Sequence, residues 1–199
     1  MNRKGVLAAA IAAALLAALP AHADKGDWLV RLRAIDIRPD ASSSPVGGVN
    51  VDDKWAPEVD ISYFITSNIA LELILTYPQQ HDVKLNGANI GSVKHLPPTL
   101  TLQYHFAPEA GFRPYVGAGI NYTRFSGANL NAPPRLNTET SSVGWALQAG
   151  FDVPITKNMV FNVDVKKIKI ETDLFAPGGY LTTLKIDPLI VGVGLGWKF

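Results

Sequence analysis

Of the four histidines in this chain of 199 residues, three lie beyond its first two dozen residues: His81, His95 and His105. A hydrolase or acyltransferase would tie one of them to a serine and a carboxylate, and no local motif does so. His81 and His95 share one stretch at no metal-ligand spacing, and there is no cysteine to complete a site. Gly117 and Gly119 alternate with larger residues and do not form a phosphate loop. What remains is a set of ionisable residues of both signs, Arg31, Arg33, Asp60, Glu72, His105 and Asp164, each sitting in an otherwise apolar segment. Charges placed inside a protein need partners. The chemistry predicted for these six is mutual neutralisation in a polar plug, with no catalytic residue, no metal and no cofactor.

The elements that would position them follow from a period of two. The last stretch alternates Leu189, Val191, Val193, Leu195, Trp197 and Phe199 with Ile190, Gly192, Gly194, Gly196 and Lys198. One wholly apolar face and one small or polar face describe a strand between lipid and a crowded interior. Eight such segments recur, each about the 9 to 11 residues a tilted strand needs to cross a bilayer. Their outward sets include Leu32, Val59, Leu73, Leu102, Ile120, Leu147, Val165 and Val193, and their inward sets add Glu58, Ser62, Gln103, Gln148, Asn162 and Lys166 to the six charges.

The connections alternate in length. Thr66 to Asn68, Ala107 to Phe112 and Pro154 to Asn158 are short, whereas Pro39 to Lys54, Pro78 to Pro97, Arg124 to Ser141 and Glu171 to Ile186 are long. Aromatics fall at two levels, Trp28, Tyr63, Phe106, Phe151, Phe161, Trp197 and Phe199 at one end and Trp55, Tyr77, Tyr122 and Trp145 at the other. A secreted β-sandwich also alternates, but it needs no aromatic levels and carries polar residues outside. The prediction is an all-β fold: an eight-stranded antiparallel transmembrane β-barrel with short periplasmic turns, four longer extracellular loops and both termini in the periplasm.

The N-terminal region gives the route. Arg3 and Lys4, an Ala/Leu-rich run and Ala21-His22-Ala23 read as a cleaved secretory leader over residues 1–23, leaving 24–199 as the barrel. Removing those two cations from 18 Lys and Arg leaves 16 against 17 acidic residues, so nucleic acid is not an expected partner. The oxidising compartment permits disulfides that this chain, without cysteine, does not use.

The segments "TSNIALELI", "HLPPTLTLQYHF" and "FRPYVGAGINYT" resemble the outer-membrane protein W family, which includes alkane-uptake proteins. "DISYFITSNIALEL" and "KIDPLIVGVGLGWKF" look closer to the alkane-uptake branch. The resemblance implies an integral outer-membrane barrel associated with passive uptake of small hydrophobic molecules. One departure stands out: Lys166-Lys167 occupies the place of an aromatic pair found in many members.

An eight-stranded interior is just wide enough for side chains to fill, which disfavours a water-filled pore. Above the plug the alternation turns Ile35, Ile37, Ile74, Ile168, Ile170 and Ile190 inward, predicting an apolar pocket open to the outside. Pro39, Pro57, Pro98 and Pro188, at the outer ends of strands one, two, four and eight, each lack a ladder donor, and predict an interrupted seam for lateral release into the outer leaflet. Leu130, Pro133, Pro134 and Leu136, with Leu174, Phe175, Pro177, Tyr180 and Leu181, would gather substrate or stiffen the loops. Lys167 and Lys169 point outward toward lipopolysaccharide headgroups. Expected partners are therefore outer-membrane lipid, lipopolysaccharide, a small hydrophobic substrate and, through the strand ending in Phe199, the barrel-assembly machinery; the barrel is expected to be a monomer. A non-transporting envelope barrel whose loops bind partners or phage is the alternative, and a lipid-modifying enzyme a third.

Overall fold

The computed structural model describes residues 25–130 and 137–199. Residues 1–23, read as a leader, fall outside them, as do Pro133, Pro134 and Leu136. Eight long strands form the wall: β1 (Trp28–Arg38), β2 (Lys54–Phe64), β3 (Ile69–Thr76), β4 (Thr99–His105), β5 (Arg113–Leu130), β6 (Ser141–Pro154), β7 (Met159–Ile168) and β8 (Leu189–Lys198). Each pairs antiparallel with its chain neighbours, and β1 pairs with β8, so the sheet closes on itself. Closure leaves no free edge along the wall, the condition for a sheet in hydrocarbon.

Alternation puts the charges in and the oil out. Arg31, Arg33, Asp60, Glu72, His105 and Asp164 are all buried, while Leu32, Leu73, Leu102, Ile120 and Val193 are exposed on the outer surface. The register through Lys166 and Lys167 runs without a shift on either side, so parity is kept up to Ile168. Trp28 faces Tyr63 across β1 and β2 with ring centroids 4.9 Å apart, part of the aromatic level at the short-turn end.

Two of the short turns repeat one device. In Ile65-Thr66-Ser67-Asn68 the Thr66 hydroxyl accepts from the N–H groups of Asn68 and Ile69 at 3.2 and 3.0 Å, and in Ile155-Thr156-Lys157-Asn158 the Thr156 hydroxyl accepts from Asn158 N–H at 3.3 Å. Each turn's asparagine then reaches the next strand. Asn68 Nδ2 donates to His105 O at 2.7 Å and Asn158 Nδ2 to Lys198 O at 3.1 Å. Local side-chain bonds of this kind set a tight turn and pin its neighbour.

The glycines of the last strand make room for the arginines of the first. Gly192, Gly194 and Gly196 stand opposite Ile35, Arg33 and Arg31. At Gly194 an added Cβ would run into the backbone carbonyl of Leu32 and crowd Arg33 Cα. Because backbone cannot rotate away, Gly194→Ala is expected to destabilise the barrel by about 1–3 kcal/mol, the usual cost of overpacking. Urea unfolding in lipid vesicles, followed by tryptophan fluorescence, checks this.

The long connections are themselves largely β-structure. A hairpin, Gln79–Leu85 and Ala88–Leu96, leans on the outer half of β5 and receives Val49–Val51 at its far edge. A second hairpin, Glu171–Ala176 and Gly179–Lys185, is flanked by Ser42–Ser44 and Asn137–Thr138 in a separate four-stranded sheet. The four longer loops are thus built partly of strands that the sequence pattern does not mark, because strands beyond the wall carry no lipid-facing set.

Candidate functional site in the barrel lumen

The predicted plug is a network centred on two arginines. Arg31 Nη1 donates to Asp60 Oδ1 and to Ser62 Oγ, both at 3.0 Å, while its Nε and Nη2 fork onto Asp152 at 3.2 and 2.7 Å. Arg33 Nη1 donates to Glu58 Oε1 at 2.9 Å, and its Nη2 lies 2.9 Å from Asp60 Oδ2 and 3.1 Å from Glu72 Oε1. Lys166 Nζ closes the set on Glu58 at 2.7 Å and Asp164 at 2.6 Å. Glu72 Oε2 accepts from Thr101 and Gln148, and Asp164 Oδ2 accepts from the Tyr115 hydroxyl at 2.9 Å. Four strands of the first half and three of the second thus meet in one network.

The network extends beyond the six predicted plug residues to Glu58, Ser62, Thr101, Tyr115, Gln148, Asp152 and Lys166. Asp152, Tyr115 and Lys166 complete it, and each is signalled by an outward neighbour: Phe151, Val116 and Val165 face lipid, so the next residue faces in. Lys166, the departure from the family's aromatic pair, is a buried cation compensating Glu58 and Asp164. Glu58, Asp60, Glu72, Asp152 and Asp164 are buried with Arg31, Arg33 and Lys166, an interior with more carboxylates than cations. His105 lies below, its Nε2 3.1 Å from Gln103 Oε1 and its ring between Phe64 and Tyr115 at centroid distances of 5.0 and 5.1 Å. His81 and His95 belong to the Gln79–Leu96 hairpin, outside the wall strands that carry the plug.

Above the plug the interior turns apolar. Ile35, Ile37, Ile168, Ile170 and Ile190 are at most 5% exposed and share one cluster, whereas Ile74, also buried, stands apart from it. Val51, Val83, Phe125, Leu174, Leu184 and Ile186 complete the cluster from the long connections. The expected mouth open to the outside is therefore roofed: strands of the long connections pack their own apolar residues onto the isoleucines. Leu181 packs against the same cluster, and Phe175 meets Tyr180 edge-on at 6.3 Å, a contact that stiffens the hairpin. Asp52 and Lys84 tie the first two connections at 2.9 Å, and that hydrogen bond raises the Lys84 pKa.

The four prolines separate into two pairs. Pro39 and Pro188 flank the last β1–β8 pair, Arg38 with Leu189, but Asp40 N–H bonds Ile186 O at 2.9 Å beyond it, so the backbone stays bridged there. Pro57 and Pro98 flank the outer end of β3. The β2–β3 ladder ends at Glu58 with Thr76, and the β3–β4 ladder ends two residues earlier on β3, at Ile74 with Thr99. Pro98 O still accepts from Tyr122 N–H on β5, so β4 stays tied to β5 beyond the point where its ladder with β3 ends. Thr76 Oγ1, buried at this point, has no hydrogen-bond partner among the described residues. Lys167 and Lys169 do face outward, each beside an acid: Lys167 Nζ donates to Asp187 O at 2.6 Å and lies 3.5 Å from Asp40, and Lys169 lies 3.4 Å from Glu171.

A closed eight-stranded cylinder with an apolar belt, aromatic levels and an ion-paired lumen defines an outer-membrane β-barrel. The match of residues 24–199 to the OmpW family model shows that the chain belongs to the OmpW family. It is 41% identical to the uncharacterized outer-membrane protein y4mB of Sinorhizobium fredii over 86% of this chain and 80% of that protein. It is 32% identical to outer membrane protein W of Vibrio cholerae over 96% of both chains. More distant, at 27% over 92% of this chain and 93% of its own, is the dibenzothiophene metabolism operon protein PahQ of Pseudomonas aeruginosa. Among solved structures, that of the outer membrane protein OprG from Pseudomonas aeruginosa superimposes with a TM-score of 0.79 at 27% identity, covering 91% of this chain and 99% of OprG.

Proposed function

We propose that this barrel mediates passive uptake of small hydrophobic molecules, taking them into the apolar upper lumen and releasing them sideways into the outer leaflet between β3 and β4. The observation that carries the reading is vertical order: an apolar cluster lies directly above a lumen saturated with ion pairs. An apolar guest gains about 25 cal/mol per Å² by burial in the cluster, but going straight down it would have to part buried charges. Sideways, at the end of the β3–β4 ladder, fewer backbone bonds stand in its way. The PahQ relative, named for an operon of dibenzothiophene metabolism, supports a substrate of that apolar kind.

In this reading the short turns and both termini are periplasmic, the roof faces outward, and the protein acts without catalysis as a monomer surrounded by lipid. Phe199 ends the strand that the barrel-assembly machinery would engage. Lys167 and Lys169 contact lipopolysaccharide in competition with Asp40 and Glu171. Uptake of dibenzothiophene or an alkane by cells with and without the protein tests the proposal: faster uptake in expressing cells is expected. The packed roof favours a second reading, a barrel whose loops bind surfaces or phage, and equal uptake with and without the protein would leave that one standing.

A further inference from the structure

At the short-turn end the lumen closes over a layer of Leu29, Phe64, Ala70 and Val160. Beside this layer lies a small cavity of about 20 Å³. Its lining has two characters. Leu29, Phe64 and Val160 are apolar, while Arg113, Lys157 and Lys198 bring three cations to the same lining.

Arg113 is 5% exposed, and its Nη2 is buried with no hydrogen-bond partner among the described residues. Its Nε is already spent on Ala110 O at 2.9 Å. The carboxylate in the lining, Asp152, commits both oxygens elsewhere: Oδ2 to Arg31, Oδ1 to Arg31 and to Asn162 at 2.8 Å. Arg113 forms no ion pair among the described residues. A buried guanidinium N–H without an acceptor is costly, and a charged donor recovers most from a charged acceptor.

We infer that this cavity is a binding site for a carboxylate carried on an apolar stem, with one carboxylate oxygen on Arg113 Nη2, the stem along Leu29, Phe64 and Val160, and Lys157 at the opening. A volume near 20 Å³ takes about one or two oxygen-sized atoms, so only the tip of the head group is enclosed and the stem follows the apolar lining outward to the opening. The apolar lining selects the stem, since an inorganic anion would leave it uncompensated. Lys157 is exposed on the Ile155–Asn158 turn and Lys198 is paired with Asp27 at 3.2 Å, so Arg113 is the cation whose need is unmet inside. The site is separate from the upper lumen and stands whether or not the barrel carries hydrophobic molecules.

The test is a titration of the folded chain, isotope-labelled and in detergent micelles, with butyrate, with decanoate, with inorganic phosphate and with chloride at constant ionic strength. The signals read are the His105 ring and the Lys157 and Asn158 amides. Saturable shifts with butyrate, decanoate or both are expected, the first indicating a dissolved carboxylate and the second one delivered from the lipid phase. Arg113→Gln should weaken binding by at least about tenfold, the loss of one charged hydrogen bond, and Arg113→Lys by less. Should Arg113→Gln fail to fold, Lys157→Gln, an exposed change, should still weaken binding several-fold. Shifts that rise linearly with every salt, that are matched by phosphate or chloride, or that persist in Arg113→Gln would overturn the assignment.

Discussion

Replacing Arg31 by methionine is expected to lower the unfolding free energy of the barrel by about 3–5 kcal/mol, the usual consequence of removing one partner from a buried ion pair. The size follows from what is left behind. Arg31 is fully buried and bonds Asp60, Ser62 and both oxygens of Asp152, with its guanidinium 5.4 Å from the centre of the Tyr115 ring. Methionine fills much of the volume but donates nothing, so Asp152 loses its cation and Asp60 is left to Arg33 alone, in an interior already richer in acids than in bases. The double variant Arg31→Met, Asp152→Asn should recover part of the loss, because it removes the charge left stranded. Urea unfolding of all forms in lipid vesicles gives the comparison. A loss below about 1 kcal/mol, the scale of a solvated surface pair, would mean that the lumen is wet and the network weak.

The wall of this barrel was legible because lipid imposes a contrast on every second residue. Arg31, Asp60, Glu72 and Asp164 were assignable to the interior from Leu32, Ile61, Leu73 and Val165 beside them, and the structure keeps that parity through Lys167. Which interior residues touch is a different matter. Arg31 and Asp152 are 121 residues apart, and they meet because the stagger of eight tilted strands brings β1 and β6 to one height across the lumen. No local pattern encodes that stagger. The roof was illegible for another reason: Leu174, Leu184 and Val83 belong to strands outside the lipid, where alternation reports only whether a residue meets the cluster or water. The prolines show the limit most clearly, since four alike in sequence prove to be a bridged pair at β1–β8 and a pair bracketing the end of β3.

If lateral release uses the end of β3, locking that end should abolish uptake. Continuing the β3–β4 register by one pair beyond Ile74 and Thr99 sets Leu75 against Pro98. The chain has no cysteine, so the double variant Leu75→Cys, Pro98→Cys can form one disulfide and no other. Under oxidising conditions its uptake should fall to the rate of cells lacking the protein, and a reductant should restore it. A second cross-link, between Val59 and Leu32, joins positions already paired in the β1–β2 ladder and should leave uptake unchanged. If the oxidised Leu75–Pro98 variant takes up substrate at the parental rate, the guest does not leave between β3 and β4. The bridged backbone at Asp40 and Ile186 would then have to open instead, at the cost of bonds that the β3 end does not possess.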